Sequence, residues 1–152
     1  VVKSFPQHPE LNKVHFNIAL CFYEESLPAQ YDQTSTIKCI EAFRTFAQKF
    51  PSDPQFEDAL SYVRKAQYKL IEKKYRTGYI YYKMKDYSSA LMYFDEVIEL
   101  GNTDDLDRKS LYYSSRLHLA QGDKAAAMTS FELLKAKYPG TKEVAKLQRK
   151  FK

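Results

Sequence analysis

The segment KKYRTGYIYYKMKDYSSALMYFDEVIEL, Lys73–Leu100, has six tyrosines in its first 21 residues and an apolar second half. Gly78 and Ala90 are small residues twelve positions apart, and Phe94 follows Ala90 by four. Spacings of three and four residues place side chains on one face of an α-helix. The segment therefore predicts two packed helices with mostly structural tyrosines, rather than a cofactor box or a platform for stacking nucleobases.

The same pattern recurs elsewhere in the chain. DYSSALMYF at 86–94 aligns with DKAAAMTSF at 123–131, a spacing of 37 residues, and Ala42 and Phe46 form an earlier Ala–Phe pair. In paired helices, a small residue lets the second helix lie close to the first. The aromatic residue four positions later fills the gap to the next pair. Three aligned copies indicate a tetratricopeptide repeat.

Apolar periodicity and capping residues predict seven helices. Their approximate bounds are 9–26, 34–50, 55–84, 86–100, 103–120, 123–138 and 141–152. We predict an all-α fold, a tetratricopeptide-repeat superhelix of about three helical hairpins, at 9–50, 55–100 and 103–138, with a C-terminal capping helix. Residues 1–152 form one predicted domain. Asp53 is the predicted N-cap of the third helix, and the apolar stripe predicted for the first helix consists of Val14, Ile18 and Cys21, widened by Phe16 and Phe22.

Composition limits the class of protein. With 44% hydrophobic residues the chain is not disordered, and it lacks an apolar run of roughly 18 residues that could span a membrane. The opening segment VVKSFPQHP resembles the end of an earlier helix, so we expect the chain to be truncated at its N-terminus. Cys21 and Cys39 lack metal-site spacing, and we expect two small core side chains rather than a disulfide.

No motif in the sequence indicates catalysis. GxGxxG, GxxxxGK[ST], HExxH and CxxC are all absent, and His8, His15 and His118 lie in different repeats. Cys21 and His118 could be imagined as a nucleophile and its base. We favour the simpler interpretation of a buried thiol and an imidazole on a helix surface. We predict that the protein is not an enzyme and has no catalytic, cofactor or metal site.

Binding is the function expected of such repeats, because the first helices of the hairpins build a concave wall. The residues predicted to bind a partner on this wall are Tyr75, Tyr79, Tyr82, Lys83, Tyr112 and Arg116, with Leu119 in the third repeat and Phe16, Leu20 and Tyr23 in the first. Tyrosine rings offer large contact areas, and neighbouring cations can hold a carboxylate. A peptide or a domain edge fits this wall. Single-stranded nucleic acid is an alternative, disfavoured by the acidic residues that interrupt the basic surface.

Positive charge is concentrated at the C-terminus. The chain has a net charge of +5, and the segment 135–152 contains seven Lys or Arg against Glu143 alone. This run predicts a basic docking surface for an acidic partner, formed by Lys135, Lys137, Lys142, Lys146 and Arg149. The alternative is the ordinary solvated face of a terminal helix.

Four segments resemble the BamD family, tetratricopeptide lipoproteins of the bacterial outer-membrane β-barrel assembly machinery. They are FPQHPELNKVHFNIALCFYEE, YDQTSTIKCIEAFRTFAQKFPSDPQFEDA, KKYRTGYIYYKMKDYSSALMYFDEVIE and LLKAKYPGTKEV. The most specific features are DQT before a helix, the FxxFxxxFPSD helix end and the GYIYYKMKDYSSA hairpin. The similarity extends over nearly all 152 residues and corresponds to the later repeats of the family.

This resemblance implies a non-catalytic scaffold at the periplasmic face of the outer membrane. It implies docking of the C-terminal repeats on a BamA-like POTRA domain, further assembly-complex subunits as partners, and contact with unfolded outer-membrane protein segments. Nucleic acid is not an expected partner, and the membrane is reached only through an N-terminal lipid absent from this sequence. No POTRA contact can be assigned by motif. The family usually has an acidic or arginine-containing tract around DQT, whereas here Tyr31 precedes Asp32. The alternative is another cell-envelope tetratricopeptide adaptor that binds a peptide in the tyrosine-lined groove.

Overall fold

The computed structural model describes residues 10–151, which contain helices and no strand. The helices are α1 (Leu11–Glu25), α2 (Thr34–Lys49), α3 (Phe56–Lys83), α4 (Tyr87–Glu99), α5 (Asp105–Ala120), α6 (Lys124–Lys137) and α7 (Lys142–Lys150). The all-α class is confirmed, and the predicted helix ends that fall within residues 10–151 agree with the observed ones to within two residues. Some predictions fall outside the described residues. They are the domain start at Val1, the start of the first helix at Pro9, the placement of His8, and the end of the last helix and of the domain at Lys152.

The chain divides into two compact units, Val1–Leu70 and Ile71–Lys152. In the first unit α1 packs on α2, and in the second α5 packs on α4, α6 and α7. Two of these pairs, α1 with α2 and α5 with α6, join the helices of the first and third predicted hairpins. Aspartates begin three of the helices, as the side chains of Asp86, Asp104 and Asp123 each accept a hydrogen bond from an amide three residues later.

Aromatic rings form the core of the first unit. The ring of Phe16 lies edge-on to those of Phe43 and Phe46, with centroids 5.3 Å apart in both pairs. Tyr62 stacks on Phe43 at 4.9 Å and an interplanar angle of 8°. Ala19 and Cys39 are fully buried beside these rings. Edge-on and stacked aromatic pairs stabilise a core beyond the burial of their area.

Two predictions for this unit are wrong. Phe16 was expected to line a groove, but only 5% of its surface is exposed because the ring fills the space between Phe43 and Phe46. Ile18 is 44% exposed and Cys21 is also exposed. Burying a phenylalanine ring removes more apolar area from water than burying a cysteine, so α1 turns its Phe16 face inward. Cys39 alone is a core cysteine, and burial raises the pKa of its thiol to about 11, partly offset by Lys69.

The DQT sequence closes the loop before α2. Gln33 is buried, and its Nε2 donates to the carbonyl oxygens of Leu27, Pro28 and Tyr31 at 3.2, 2.8 and 3.0 Å. Its Oε1 accepts a hydrogen bond of 2.6 Å from the hydroxyl of Thr36. One amide thus satisfies backbone carbonyls that would otherwise be buried without partners. The DQT motif therefore holds the loop closed through the hydrogen bonds of the Gln33 side chain.

At the start of α3, Asp53 accepts a hydrogen bond from the amide of Gln55 at 2.8 Å. Its other carboxylate oxygen accepts one from the side chain of Asn12. The helix begins at Phe56, slightly later than the predicted Gln55. Asp53 therefore caps the turn that leads into the helix, close to its predicted role.

The helices of the second unit pack closely at Gly78. A Cβ atom placed on Gly78 would lie 3.1 Å from Cε1 of Phe94 and 3.1 Å from Cβ of Tyr93. Ala90 and Phe94 are both fully buried at this contact. The corresponding residues 37 positions later are Ser115, Ala127 and Phe131, all buried, and the Ser115 hydroxyl donates to the carbonyl of Ala127 at 2.8 Å. The repeat detected in the sequence is thus a repeat of helix contacts.

We expect Gln33→Glu to destabilise the protein by about 2–4 kcal/mol at pH 7, because a carboxylate would face three carbonyl oxygens. These acceptors would raise the pKa of the new side chain above the ordinary value of roughly 4.3, so the loss should shrink as the pH falls and the acid regains a proton. Urea unfolding of the variant at pH 7 and pH 5 measures both effects. Gln30→Glu, on the exposed part of the same loop, is the control and should be nearly neutral.

We expect Gly78→Ala to be nearly neutral, since the better helix propensity of alanine, about 1 kcal/mol, offsets a small displacement of Phe94. Gly78→Val should destabilise the protein by about 2 kcal/mol, because two further methyl groups would overfill the contact. Urea unfolding followed by circular dichroism measures this difference. Ile80→Val, on the exposed face of α3, should change little. Equal stability of Gly78→Val and the parent chain would contradict the close contact as a constraint.

Candidate functional site

A cleft of about 330 Å³ lies in the second unit and is lined by α3, α5 and α7. We call it the tyrosine cleft. Its lining residues are Tyr75, Tyr79, Lys109, Tyr112, Tyr113, Arg116, Lys142, Glu143 and Lys146. Four phenol rings and four cations thus face one small cavity.

Helical spacing and mutual contact hold the rings in place. Tyr75, Tyr79 and Tyr82 are separated by four and three residues, so they share one face of α3. Tyr113 of α5 contacts two of them, with ring centroids 5.6 Å from Tyr79 and 4.9 Å from Tyr82. Tyr113 also stacks on the buried ring of Phe94 at 5.6 Å and 16°. Tyr75, Tyr79 and Tyr113 are therefore half-buried parts of the core as well as parts of the cleft wall.

Cations lie over these rings. The ammonium of Lys83 is 5.0 Å from the centroid of Tyr79, and that of Lys109 is 5.9 Å from the centroid of Tyr75. The guanidinium of Arg116 lies 6.0 Å from Tyr82 and 5.5 Å from Tyr112. It also donates a hydrogen bond of 3.2 Å to the Tyr112 hydroxyl. Such contacts orient a cation while leaving its outer side free to bind an anion.

Two phenols of the cleft, Tyr75 and Tyr113, have a raised pKa and remain neutral at physiological pH. Burial raises the pKa of Tyr113 to about 12, with further contributions from the neighbouring Tyr79, Tyr82 and Tyr112. Burial likewise raises the pKa of Tyr75, and Tyr113 and Tyr79 add to the effect. A neutral phenol is a hydrogen-bond donor.

Positive charge predominates around the cleft. Glu143 is 8% exposed and its Oε1 lies 3.3 Å from Nε of Arg108, close enough for an ion pair but without good hydrogen-bond alignment. Nζ of Lys109 lies 3.8 Å from Oδ2 of Asp105, which is also within ion-pair distance. Among residues 10–151, no carboxylate lies within ion-pair distance of Arg116, Lys142 or Lys146. The acidic groups are thus already paired, and the cleft carries excess positive charge.

The tyrosine cleft combines residues that the sequence analysis assigned to two separate surfaces. Its lining includes Tyr75, Tyr79, Tyr112 and Arg116 of the predicted groove together with two lysines of the predicted C-terminal docking surface, Lys142 and Lys146. Tyr112 is only 7% exposed and acts mainly as a hydrogen-bond partner of Arg116. Tyr82 lines a neighbouring cleft of about 440 Å³ with Arg116, Leu119 and Lys150.

Sequence reasoning missed Lys109 and Tyr113. Both lie on α5 at helical spacing from Arg116, seven and three residues before it, so the periodicity of that helix could have identified them. Tyr113 is adjacent to the predicted Tyr112, and both rings line the cleft with their centroids 5.1 Å apart.

Lys137 differs from the other residues of the predicted docking surface. Its ammonium donates to Oδ2 of Asp107 at 2.6 Å and to the carbonyl of Asn102 at 2.9 Å. The same Asp107 oxygen accepts a hydrogen bond of 2.6 Å from the hydroxyl of Tyr138. Asp107 is fully buried, so the pair is an internal contact between α5 and the end of α6. By contrast, Lys135, Lys142, Lys146 and Arg149 are exposed.

We expect Lys137→Ala to destabilise the protein by about 2–3 kcal/mol, because it leaves the buried Asp107 carboxylate without its cation. Lys135→Ala, two residues earlier on the same helix, removes an equal charge from an exposed position and should cost less than about 0.5 kcal/mol. Thermal unfolding of the two variants side by side measures the difference. A similar loss for both would contradict the assignment of Lys137 to an internal ion pair.

The described residues place no group of three or more His, Cys, Asp or Glu side chains where they could hold a metal ion. No helix within residues 10–151 combines the length and apolar character needed to cross a membrane.

Comparison with known proteins gives two family matches. The family model YfiO, described as an outer membrane lipoprotein, matches residues 1–102, and a tetratricopeptide repeat model matches residues 109–141. The second match covers most of α5 and all of α6, the hairpin of Ser115, Ala127 and Phe131, and it confirms the predicted repeat class. The outer membrane protein assembly factor BamD of Caulobacter vibrioides is 23% identical over 139 residues, which are 91% of this chain and 46% of that protein. The chain thus spans about half the length of this relative.

Proposed function

The chain belongs to the YfiO family of outer membrane lipoproteins, and from this premise we propose that it is a non-catalytic adaptor in outer-membrane protein assembly. The family match over residues 1–102, two thirds of the chain, carries the proposal. The relative from Caulobacter vibrioides is named as an assembly factor, which supports the same role. We place the protein at the periplasmic face of the outer membrane, with a BamA-like POTRA domain as its docking partner.

The docking surface that we propose consists of Lys135, Lys142, Lys146 and Arg149. All four are exposed on α6 and α7. Each exposed ion pair contributes little, roughly 0.2–1 kcal/mol, so docking of this kind relies on several charges together and on steering during encounter. Lys137 is left out of the surface, because its ammonium is bound by Asp107 within the unit.

A second candidate function is that of a cell-envelope adaptor that binds an extended peptide. The tyrosine cleft favours it, because half-buried rings with neighbouring cations can accept side chains of a partner. The two candidates differ in partner: a folded POTRA domain on four exposed cations, or a peptide in the cleft, whose lining includes two of those cations, Lys142 and Lys146.

Co-elution of the chain with the purified POTRA domains of the BamA homologue from the same organism tests the leading proposal. On a sizing column at physiological salt we expect a stoichiometric complex. The double variant Lys135→Glu and Arg149→Glu should weaken the complex at least about tenfold, because two attractive charges become repulsive. Separate peaks for the unmodified chain would contradict docking by these repeats.

The matched control is the double variant Lys49→Glu and Lys124→Glu. It makes the same change in net charge at two exposed positions outside the proposed docking surface and the tyrosine cleft. We expect this variant to co-elute like the parent chain. Equal weakening by both double variants would show that net charge, rather than this surface, determines binding.

A further inference from the structure

The tyrosine cleft has the chemistry of a peptide site with a specific charge requirement. We propose that it binds an acidic segment of a partner protein, in which carboxylates flank an aromatic or aliphatic side chain. This inference specifies the ligand of the second candidate function, on which it rests, and it does not depend on docking to a POTRA domain.

The first argument is the distribution of charge. Arg116, Lys142 and Lys146 come from two helices and line one cavity, and no carboxylate of the described residues lies within ion-pair distance of them. Cations of equal sign repel one another when they share a cavity, and a carboxylate placed between them removes that cost. A ligand with at least two carboxylates spaced along a chain therefore complements the site better than a neutral or basic ligand.

The second argument is the shape of the aromatic wall. Sequence-independent binding of single-stranded nucleic acid uses aromatic faces on which bases stack. Here the rings contact cations and one another: Lys83 lies over Tyr79, Lys109 lies over Tyr75, and the rings of Tyr79 and Tyr113 meet edge-on. Such rings suit lateral contact with an amino-acid side chain better than base stacking. A protein ligand is therefore favoured over nucleic acid.

The third argument is size. A cleft of about 330 Å³ is at the lower end of the range for ligand pockets, roughly 300–1,000 Å³. It has room for one or two side chains of an extended segment, and not for the edge of a folded domain. One apolar side chain can enter between the rings, and the flanking carboxylates then lie at the rim near Arg116 and the lysines of α7.

Neutral phenols add hydrogen-bond donors to this arrangement. Burial raises the pKa of Tyr75 and Tyr113 above its ordinary value, so neither ring carries a negative charge that would repel a carboxylate. Hydrogen bonds from neutral or charged donors to a carboxylate are among the stronger ones in proteins. The cleft thus offers both cations and neutral donors to the same group.

A titration with a defined peptide tests the proposal. The probe is a fluorescein-labelled nonapeptide, blocked at both ends, in which glutamates flank two phenylalanines, and binding to the 152-residue chain is followed by fluorescence anisotropy. Two matched peptides replace all glutamates by glutamine or both phenylalanines by alanine. We expect each replacement to weaken binding by about tenfold or more, since the site needs both carboxylates and an apolar side chain.

Variants of the chain locate the site. Lys142→Gln with Lys146→Gln should weaken binding of the acidic peptide about fivefold, because two partly solvated ion pairs are lost. The control, Lys124→Gln with Lys135→Gln, removes the same charge at exposed positions outside the cleft and should bind within about twofold of the parent chain. All four positions are on the surface, so both double variants should remain folded, as circular dichroism will verify.

The outcomes separate this inference from the others. Binding of the glutamine peptide as tightly as the acidic one, or equal effects of the two double variants, would overturn it. So would tighter binding of an oligothymidylate or of anionic vesicles than of the acidic peptide. If the chain co-elutes with POTRA domains but does not bind the acidic peptide, the proposed cleft ligand is refuted and the docking proposal stands. Peptide binding without POTRA co-elution supports the cleft ligand and refutes docking.

Discussion

The close contact between Gly78 and Phe94 is the constraint on which the second unit depends. The absence of a side chain at Gly78 lets the Phe94 ring lie against α3, where an added Cβ would be only 3.1 Å from it. The Phe94 ring in turn contacts two tyrosine rings, with its centroid 5.7 Å from that of Tyr75 and 5.6 Å from that of Tyr113. Because those two rings form part of the tyrosine cleft, the close approach of α4 to α3 at Gly78 supports one wall of the candidate site.

In the next hairpin two helices also lie close together, but a serine rather than a glycine stands at the contact. Ser115 occupies the position equivalent to Gly78, and its hydroxyl donates to the carbonyl of Ala127. A serine needs more space than glycine, but its buried polar atom is satisfied by the neighbouring helix rather than left unpaired. The repeat therefore conserves a close approach between helices within this one chain, while the side chain that permits it changes.

Sequence reasoning predicted the helices well because their ends carry strong local signals. The helices predicted at 86–100 and 123–138 begin at Asp86 and Asp123, whose side chains cap them, and the Ala–Phe spacing identified the buried contacts of both hairpins. The rotation of α1 was not predictable in the same way. Both Ile18 and Phe16 fit an apolar stripe, and only the rings of Phe43 and Phe46 on α2 decide which of them is buried.

The candidate site was predicted in pieces, for a related reason. The repeat pattern identified Tyr75, Tyr79 and Arg116 as sharing a surface, but it did not relate them to the lysines of α7. The internal ion pair of Lys137 could not be predicted either. Its partner Asp107 is 30 residues earlier, and in the sequence it resembles any exposed acid in the first turn of a helix. Contacts between distant segments are set by packing, which no local pattern encodes.

The packing of α7 links the two candidate functions. Leu147 is fully buried and Phe151 stacks on Phe131 at 4.9 Å, so the apolar face of this short helix fixes the direction of its polar face. That direction brings Lys142 and Lys146 to the tyrosine cleft while Arg149 stays exposed. The two lysines belong to both the proposed docking surface and the proposed peptide site. A carboxylate that neutralises them in one role removes the attraction they offer in the other, so the two partners would compete for α7 rather than bind independently.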